Sequence, residues 1–459
     1  MSINESITNF FANEEIRRQA ISDLAQIIAI PSVASDPDGI YPFGKECALA
    51  LDTATDIAKK YGFEVENHDY RCLSVLYGDS DKEIGIVCHL DVVPAGDGWS
   101  VEPYSLTEKD GLLIGRGTHD DKGPFIQALY TMRYFKENGI KLPFTIRLIL
   151  GSDEEVGSTD LRYFQTVRKP PMFSFTPDSS FPVCIGEKGI LSVWTEFPAL
   201  PANIKELRGG TVANAVPGKA YAIVDTDKAL TDTENVKVSK CENGYKVEAI
   251  GKSSHAAHPE SSVNAISLLF AYLIDNELVD GNPTYSFLRD STAEYLGKSF
   301  GIDAENDDFG YLTCVGGVIN GNNEKITQSF NIRYLPDTPS EQIVDSIKNT
   351  VASVGGKVYS AHASEGYFVS ADDEKIVALT KACEKVLGIE CKPYTMGGGT
   401  YARALPNTVA FGSGIESERG FLGTEHGDAH QRDEYISVKE LFDGMEIYSL
   451  AIVNLSEIL

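Results

Sequence analysis

The stretch "GRGTHDDKGP", Gly115 to Pro124, sets Asp120 and Asp121 side by side. Adjacent carboxylates repel, so the pair needs a use. One use is a helix N-cap ahead of "KGPFIQAL"; the other is metal binding, since one carboxylate can bridge two cations with one oxygen for each. Similar residue types recur elsewhere. In "CHLD", His89 and Asp91 lie two apart, which on a strand is one face. A carboxylate there can hold the second imidazole nitrogen and fix its tautomer. Cys88 alternates to the other face and is not counted as a ligand. "GSDEEVGS" offers Asp153, Glu154 and Glu155; consecutive residues leaving a strand diverge, so one glutamate can bind metal while its neighbour stays free as a base. Asp178 stands in "TPDSSFP", and His426 and His430 in "EHGDAHQRDEY".

Each of these has an ordinary explanation: a buried strand-end histidine, an acidic surface turn, a turn aspartate, a solvated loop. Together they say more. His89, Asp120, Glu155, Asp178 and His430 supply two imidazoles and three carboxylates. Three carboxylates within ~5 Å of one another are severely unfavourable without cations. Two divalent ions and a hydroxide between them would balance the charge. Imidazole and carboxylate without thiolate suit zinc, and also manganese or cobalt.

Something must bring these residues together. Residues 13–29 read as an amphipathic helix, and "ECALALDTATDIAKKYG" as a second with Gly62 at its C-terminal cap. "EIGIVCHLDVVP", "FTIRLILGSDEE" and "MFSFTPD" are short apolar runs rich in β-branched and aromatic residues, which predicts buried strands. "KGPFIQALYTMRYFKENG" is a helix ending on Gly139. Strands alternating with helices predict a mostly parallel sheet with helices on both faces. Sites in such α/β sheets gather at the carboxyl ends of strands, where "HLD", "DEE" and "TPD" all fall. From about residue 187 the pattern turns to separated strands with two helices among them, "SVNAISLLFAYLIDNE" and "SEQIVDSIKNTVASVG", an α+β insert. The expected division is a discontinuous domain of residues 1–186 and 371–459 interrupted by a second domain, 187–370.

The bulk numbers agree with such a molecule. A chain of 459 residues is long for one core. A net charge of −27 argues against nucleic-acid and anionic-membrane partners. No apolar run approaches the ~18 residues of a membrane span. The N-terminus lacks a signal peptide's basic and apolar regions, and eight cysteines without a CxxC pair fit a reducing cytoplasm better than a disulfide framework.

In order along nearly the whole chain, "CHLDVVPAGDGW", "GRGTHDDKGP", "GSDEEVGS", "TPDSSFPVCIGEKG", "TVANAVP", "GKSSHAAHPESSVNA", "NIRY", "GGGTYAR" and "AHQRDEY" resemble the dinuclear metallopeptidases that include aminoacylase, carboxypeptidase G and peptidase V. "GRGTxDDKGP" with "GEKG" and "HQxDE" is most similar to the peptidase V branch. The resemblance implies that His89 and Asp178 bind one metal and Glu155 and His430 the other. Asp120 would bridge them, ahead of a cis peptide to Asp121. Asp91 would clamp His89, and Glu154 would be general base and then acid. His255, from the insert, would stabilise the oxyanion. Asn214 and Arg333 would contact substrate, Arg333 through its planar fork. Gly398, Gly399, Thr400 and Arg403 of the "MGGGTYAR" loop would line the pocket. The implied reaction is hydrolysis of dipeptides with a free amino terminus by water activated between two ions; the alternative is removal of an N-acyl or N-succinyl group. A long insert fits a monomer, with a homodimer the other option. His119 departs from the family's usual small or apolar residue and reads as packing. His258 reads as a surface residue.

Overall fold

The computed structural model describes residues 2–242, 244–423 and 426–459. Glu425, which opens the quoted "EHGDAHQRDEY" stretch, lies outside them. The chain divides into two compact units: Met1–Gly186 with Val369–Tyr394 and Thr400–Leu459, and Glu187–Phe368 with Thr395–Gly399.

The first unit is built on a mixed sheet. Its strands lie in the order Glu64–His68, Cys72–Tyr77, Thr145–Gly151, Glu83–His89, Phe173–Thr176, Thr408–Ala410, Cys184–Glu187. The middle is parallel: Glu83–His89 runs with Thr145–Gly151 on one side and Phe173–Thr176 on the other, and Thr408–Ala410 continues in the same sense. Both margins are antiparallel. The central strands are apolar on both faces because both are covered; all seven residues of Thr145–Gly151 are buried. Each buried Ile, Leu or Val there contributes roughly 1.5–3 kcal/mol.

The helices follow from local signals. Glu14–Ile28 starts where Asn13 Oδ1 accepts the Glu15 and Ile16 amides. Lys45–Lys60 ends just before Gly62, whose φ of +74° is the left-handed conformation glycine adopts freely. Helix Lys122–Glu137 is buried from Lys122 through Phe135. The periodicity did not predict the helix Ile3–Ala12; its signal is a capping box formed by Ser2 and Glu5.

A small antiparallel sheet of Thr107–Lys109, Leu112–Ile114 and Tyr435–Ser437 matters for chemistry. It ties the segment leading into Asp120 to the one that follows His430.

The second unit is an eight-stranded antiparallel sheet in the order Val236–Cys241, Gly244–Ile250, Lys219–Val224, Ile204–Gly209, Thr313–Gly321, Lys325–Tyr334, Gly189–Pro198, Lys357–Ser364. Burial alternates along Gly189–Pro198, the mark of a sheet with one packed face. That face meets the helices Ala265–Asp275, Pro283–Ala293 and Ser340–Ser353 in one apolar cluster around Leu269, Leu288 and Ile347. Thr395–Gly399, expected with the first unit, packs here. The Thr395 hydroxyl donates to the Asp308 carbonyl, the Lys188 amide to that of Met396, and the Arg333 guanidinium to that of Gly397.

Candidate metal centre

The parallel strands deliver their polar ends to one edge. His89 is the last residue of its strand, in register with Gly151, after which the chain turns through Ser152–Glu155. Asp178 follows the end of Phe173–Thr176. His89 Nε2 lies 2.9 Å from Asp120 Oδ1 and 3.8 Å from Asp178 Oδ2. His430 Nε2 lies 2.9 Å from Asp120 Oδ2 and 3.2 Å from either oxygen of Glu155. Asp120 therefore turns one oxygen to each imidazole. Two groups of donor atoms result, His89–Glu154–Asp178 and Asp120–Glu155–His430, each spanning no more than 4.8 Å. Glu154 stands in the first group, beside the residues expected as ligands.

The donor set fits divalent cations. Nε2 of His89 and Oδ1 of Asp120 are buried, face each other, and complete no hydrogen bond among the described residues. Buried polar atoms are almost always satisfied, so two orphans pointing at one spot mark a place for an electrophile. The donors are nitrogen and oxygen only, from imidazole and carboxylate.

The surrounding residues hold these donors in place. Nδ1 of His89 is 2.9 Å from the Asp91 carbonyl and 3.5 Å from its carboxylate. The expectation that the Asp91 carboxylate clamps the ring is thus refined: the main-chain oxygen is the nearer partner. The carboxylate instead accepts the amides of Glu154 at 3.3 Å and Glu155 at 3.1 Å. Asp121 occupies the N-cap position of its helix without capping it; its carboxylate accepts the His89 amide at 3.0 Å. The peptide between Asp120 and Asp121 is cis.

Glu434, fully buried, was not singled out in the sequence. Its Oε1 accepts three amides, those of Gly117, His119 and Asp120, at 3.0–3.1 Å. Its Oε2 pairs with Arg116, whose other arm donates to the carbonyls of Ala95 and His430. One buried ion pair thus fastens the Asp120 loop to the His430 loop. Asp160 and Tyr401 were also missed. The only hint of Glu434 was its place in "HQRDEY".

Without cations the electrostatics run to extremes. Burial alone would raise the Asp120 carboxyl, but the close imidazoles of His430 and His89 hold it well below the usual range. The Asp120 and Glu155 carboxylates in turn push His430 up to about 10, against the effect of burial. Burial pushes Glu154 up to about 8; His89 opposes this, and the charges of Glu155, Asp120 and Asp91 add to it. A carboxyl that can hold a proton near neutrality is the type used for acid–base work.

The remaining expected residues are not members of either donor group. His426 pairs with Asp433 at 3.2 Å. The Nδ1 of His119 is buried and has no hydrogen-bond partner among the described residues. His258 is exposed. Asn214, His255 and Arg333 all belong to the second unit, where the short strands Ala215–Val216 and Ser254–His255 pair and the Asn214 carbonyl accepts the Ala256 amide. The Arg333 guanidinium donates to Asn331 Oδ1 and the Gly397 carbonyl. Gly398 and Gly399 belong to the second unit, Thr400 and Arg403 to the first.

Among known proteins, the chain is 30% identical to the Bacillus subtilis protein named "Putative dipeptidase YtjP", over 97% of this chain and 99% of the relative. It is 32% identical to "Putative dipeptidase SH1171" of Staphylococcus haemolyticus, over 96% and 98%. The fold matches that of the Saccharomyces cerevisiae di-peptidase Dug1p, with a TM-score of 0.61 at 16% identity covering 99% of each chain. It also matches human carnosine dipeptidase 1, with a TM-score of 0.59 at 16% identity, covering 100% of this chain and 99% of the other. Residues 85–454 match the model of peptidase family M20/M25/M40, and with relatives of this similarity over almost their full length the chain belongs to that family of metal-dependent hydrolases.

Proposed function

We propose that the chain hydrolyses the peptide bond of dipeptides, with two divalent ions held by His89 and Asp178 on one side and Glu155 and His430 on the other, and Asp120 shared between them. One observation carries this reading: the two Asp120 oxygens face two different imidazoles, each inside its own group of donors. The names of the relatives support dipeptides over N-acyl amino acids. Zinc suits the donors best, with manganese or cobalt as the other fits. Bound divalent ions supply Lewis acidity and a water that ionises near neutral pH.

The protein's own groups do the rest. Glu154 takes a proton from the attacking water and returns it to the leaving nitrogen. Its main-chain amide is held by Asp91, and its carboxylate stands beside the donor atoms of His89 and Asp178. In the second unit the reading assigns His255 to the developing negative charge on the carbonyl oxygen, Arg333 to the terminal carboxylate, and Asn214 to substrate. Gly398, Gly399, Thr400 and Arg403 are assigned to pocket walls.

The test is a panel of Ala-Ala, β-Ala-His and N-acetyl-methionine with metal-reconstituted protein. Turnover of the dipeptides with two ions per chain is expected. Turnover of N-acetyl-methionine alone would move the reading to deacylation, and no turnover of any would end it. Glu154→Gln should keep both ions and lose about 10²–10⁴-fold in kcat. A fully active, metal-loaded variant would remove Glu154 from the role of base.

A further inference from the structure

The turn that carries Glu154 and Glu155 has an unusual anchorage. Four successive amides point at two buried carboxylates. Those of Ser152 and Asp153 donate to Asp160 Oδ2 at 2.7 and 3.0 Å, and those of Glu154 and Glu155 donate to Asp91. Asp160 also accepts the Leu161 amide at 2.6 Å and the hydroxyl of Tyr401, and among the described residues it has no ion-pair partner. Tyr401 is fully buried, 241 positions away in sequence. Its ring stands edge-on to His89, with centroids 5.9 Å apart and planes at 86°. Gly151 leaves room for this contact: a Cβ there would overlap both the Tyr401 hydroxyl and the Asp160 carboxylate.

We infer that Asp160 and Tyr401 are positioning residues for the hydrolysis. Asp160 holds the first half of the turn, Asp91 the second, and Tyr401 locks Asp160 while resting its ring against His89. A turn held at only one end would let the Glu154 carboxylate wander. The Tyr401 hydroxyl supplies a neutral donor, so the buried Asp160 is held without an added cation close to the metal ligands. Tyr401 also follows Thr400 in the "GGGTYAR" segment, which links that loop to the aim of the base.

This inference rests on the proposed function for its kinetic arm and is independent of it for its structural arm. Tyr401→Phe keeps the ring and removes only the hydroxyl. In the metal-free full-length variant, hydrogen exchange across 152–155 should quicken about tenfold, as expected when an outer partner of a site is lost. In the metal-loaded variant, kcat for Ala-Ala should fall about tenfold with KM and a content of two ions per chain unchanged. Asp160→Asn, which can still offer one oxygen to the Ser152 and Asp153 amides and the Tyr401 hydroxyl, should show a smaller effect in both. Unchanged exchange at 152–155, or faster exchange with unchanged kcat, overturns the inference. Should the unaltered protein cleave no dipeptide, the function falls while the exchange result still decides the anchorage.

Discussion

Glu434 contributes no atom to either group of donors, yet it stands behind both. Its carboxylate gathers three amides of the Asp120 loop while Arg116 carries the connection to the His430 carbonyl. Removing one partner of a buried pair leaves the other charged and unsolvated, which costs about 3–5 kcal/mol. Glu434→Ala should therefore lower stability by that amount in urea unfolding, and weaken metal binding about 10–100-fold in a competition titration. A variant of normal stability and affinity would show that the loops hold their shape unaided. The sequence could not have revealed this residue's work. Asp120 and Glu434 are 314 positions apart, and a carboxylate that binds amides looks the same in a string of letters as one on a surface. His89, Glu154, Glu155 and Asp178 stood out because each ends an apolar run with a side chain that such a run has no other use for. Tyr401 and Asp160 did not, because a buried tyrosine and a helix-start aspartate are ordinary.

At the level of elements, the central sheet is pinned across strands by charge as well as by packing. Arg147, in the strand Thr145–Gly151, reaches Glu83 on the adjacent strand and Glu66 two strands away, and Arg168 joins it. Burial would raise Glu66, but the two arginines win and hold its carboxyl below the usual value. A carboxyl depressed in the fold stabilises above its unfolded pKa and loses that contribution as pH falls through the folded value. Stability should thus decline from about pH 5 downward, and Glu66→Gln should flatten that decline by no more than about 1 kcal/mol, because the pair is partly solvated. Denaturant midpoints at pH 7, 5 and 4 would check it; an unaltered slope would exclude Glu66 as a contributor. A second test concerns the start of the helix Lys122–Glu137. A Cβ on Gly123 would run into the Thr118 carbonyl in the loop that carries Asp120. Gly123→Ala should therefore destabilise by about 1–3 kcal/mol despite its better helix propensity. The strands and helices near this site were readable because their hydrophobic periods are clean. The helix Ile3–Ala12 was not, being announced by a cap rather than by a long period.

For the molecule as a whole, both donor groups lie within the first unit. Ligand that binds only folded protein stabilises it by about 2.7 kcal/mol at a hundredfold excess over Kd. Calorimetry with and without a chelator should move the transition of the first unit downward and leave that of the second in place. A chelator without effect on either transition would count against bound ions. The order of the chain has a further consequence. His89, Asp120, Glu155 and Asp178 precede the second unit, and His430 and Glu434 follow it. At the ~5–20 residues per second of translation, Asp120 waits roughly a quarter of a minute to a minute before Glu434 is made. Through that interval a crowd of acidic side chains sits on the ribosome without its closing imidazole, while the intervening segment can already collapse on its own core. The donor group that includes His430 is therefore complete only when the chain is almost fully synthesised.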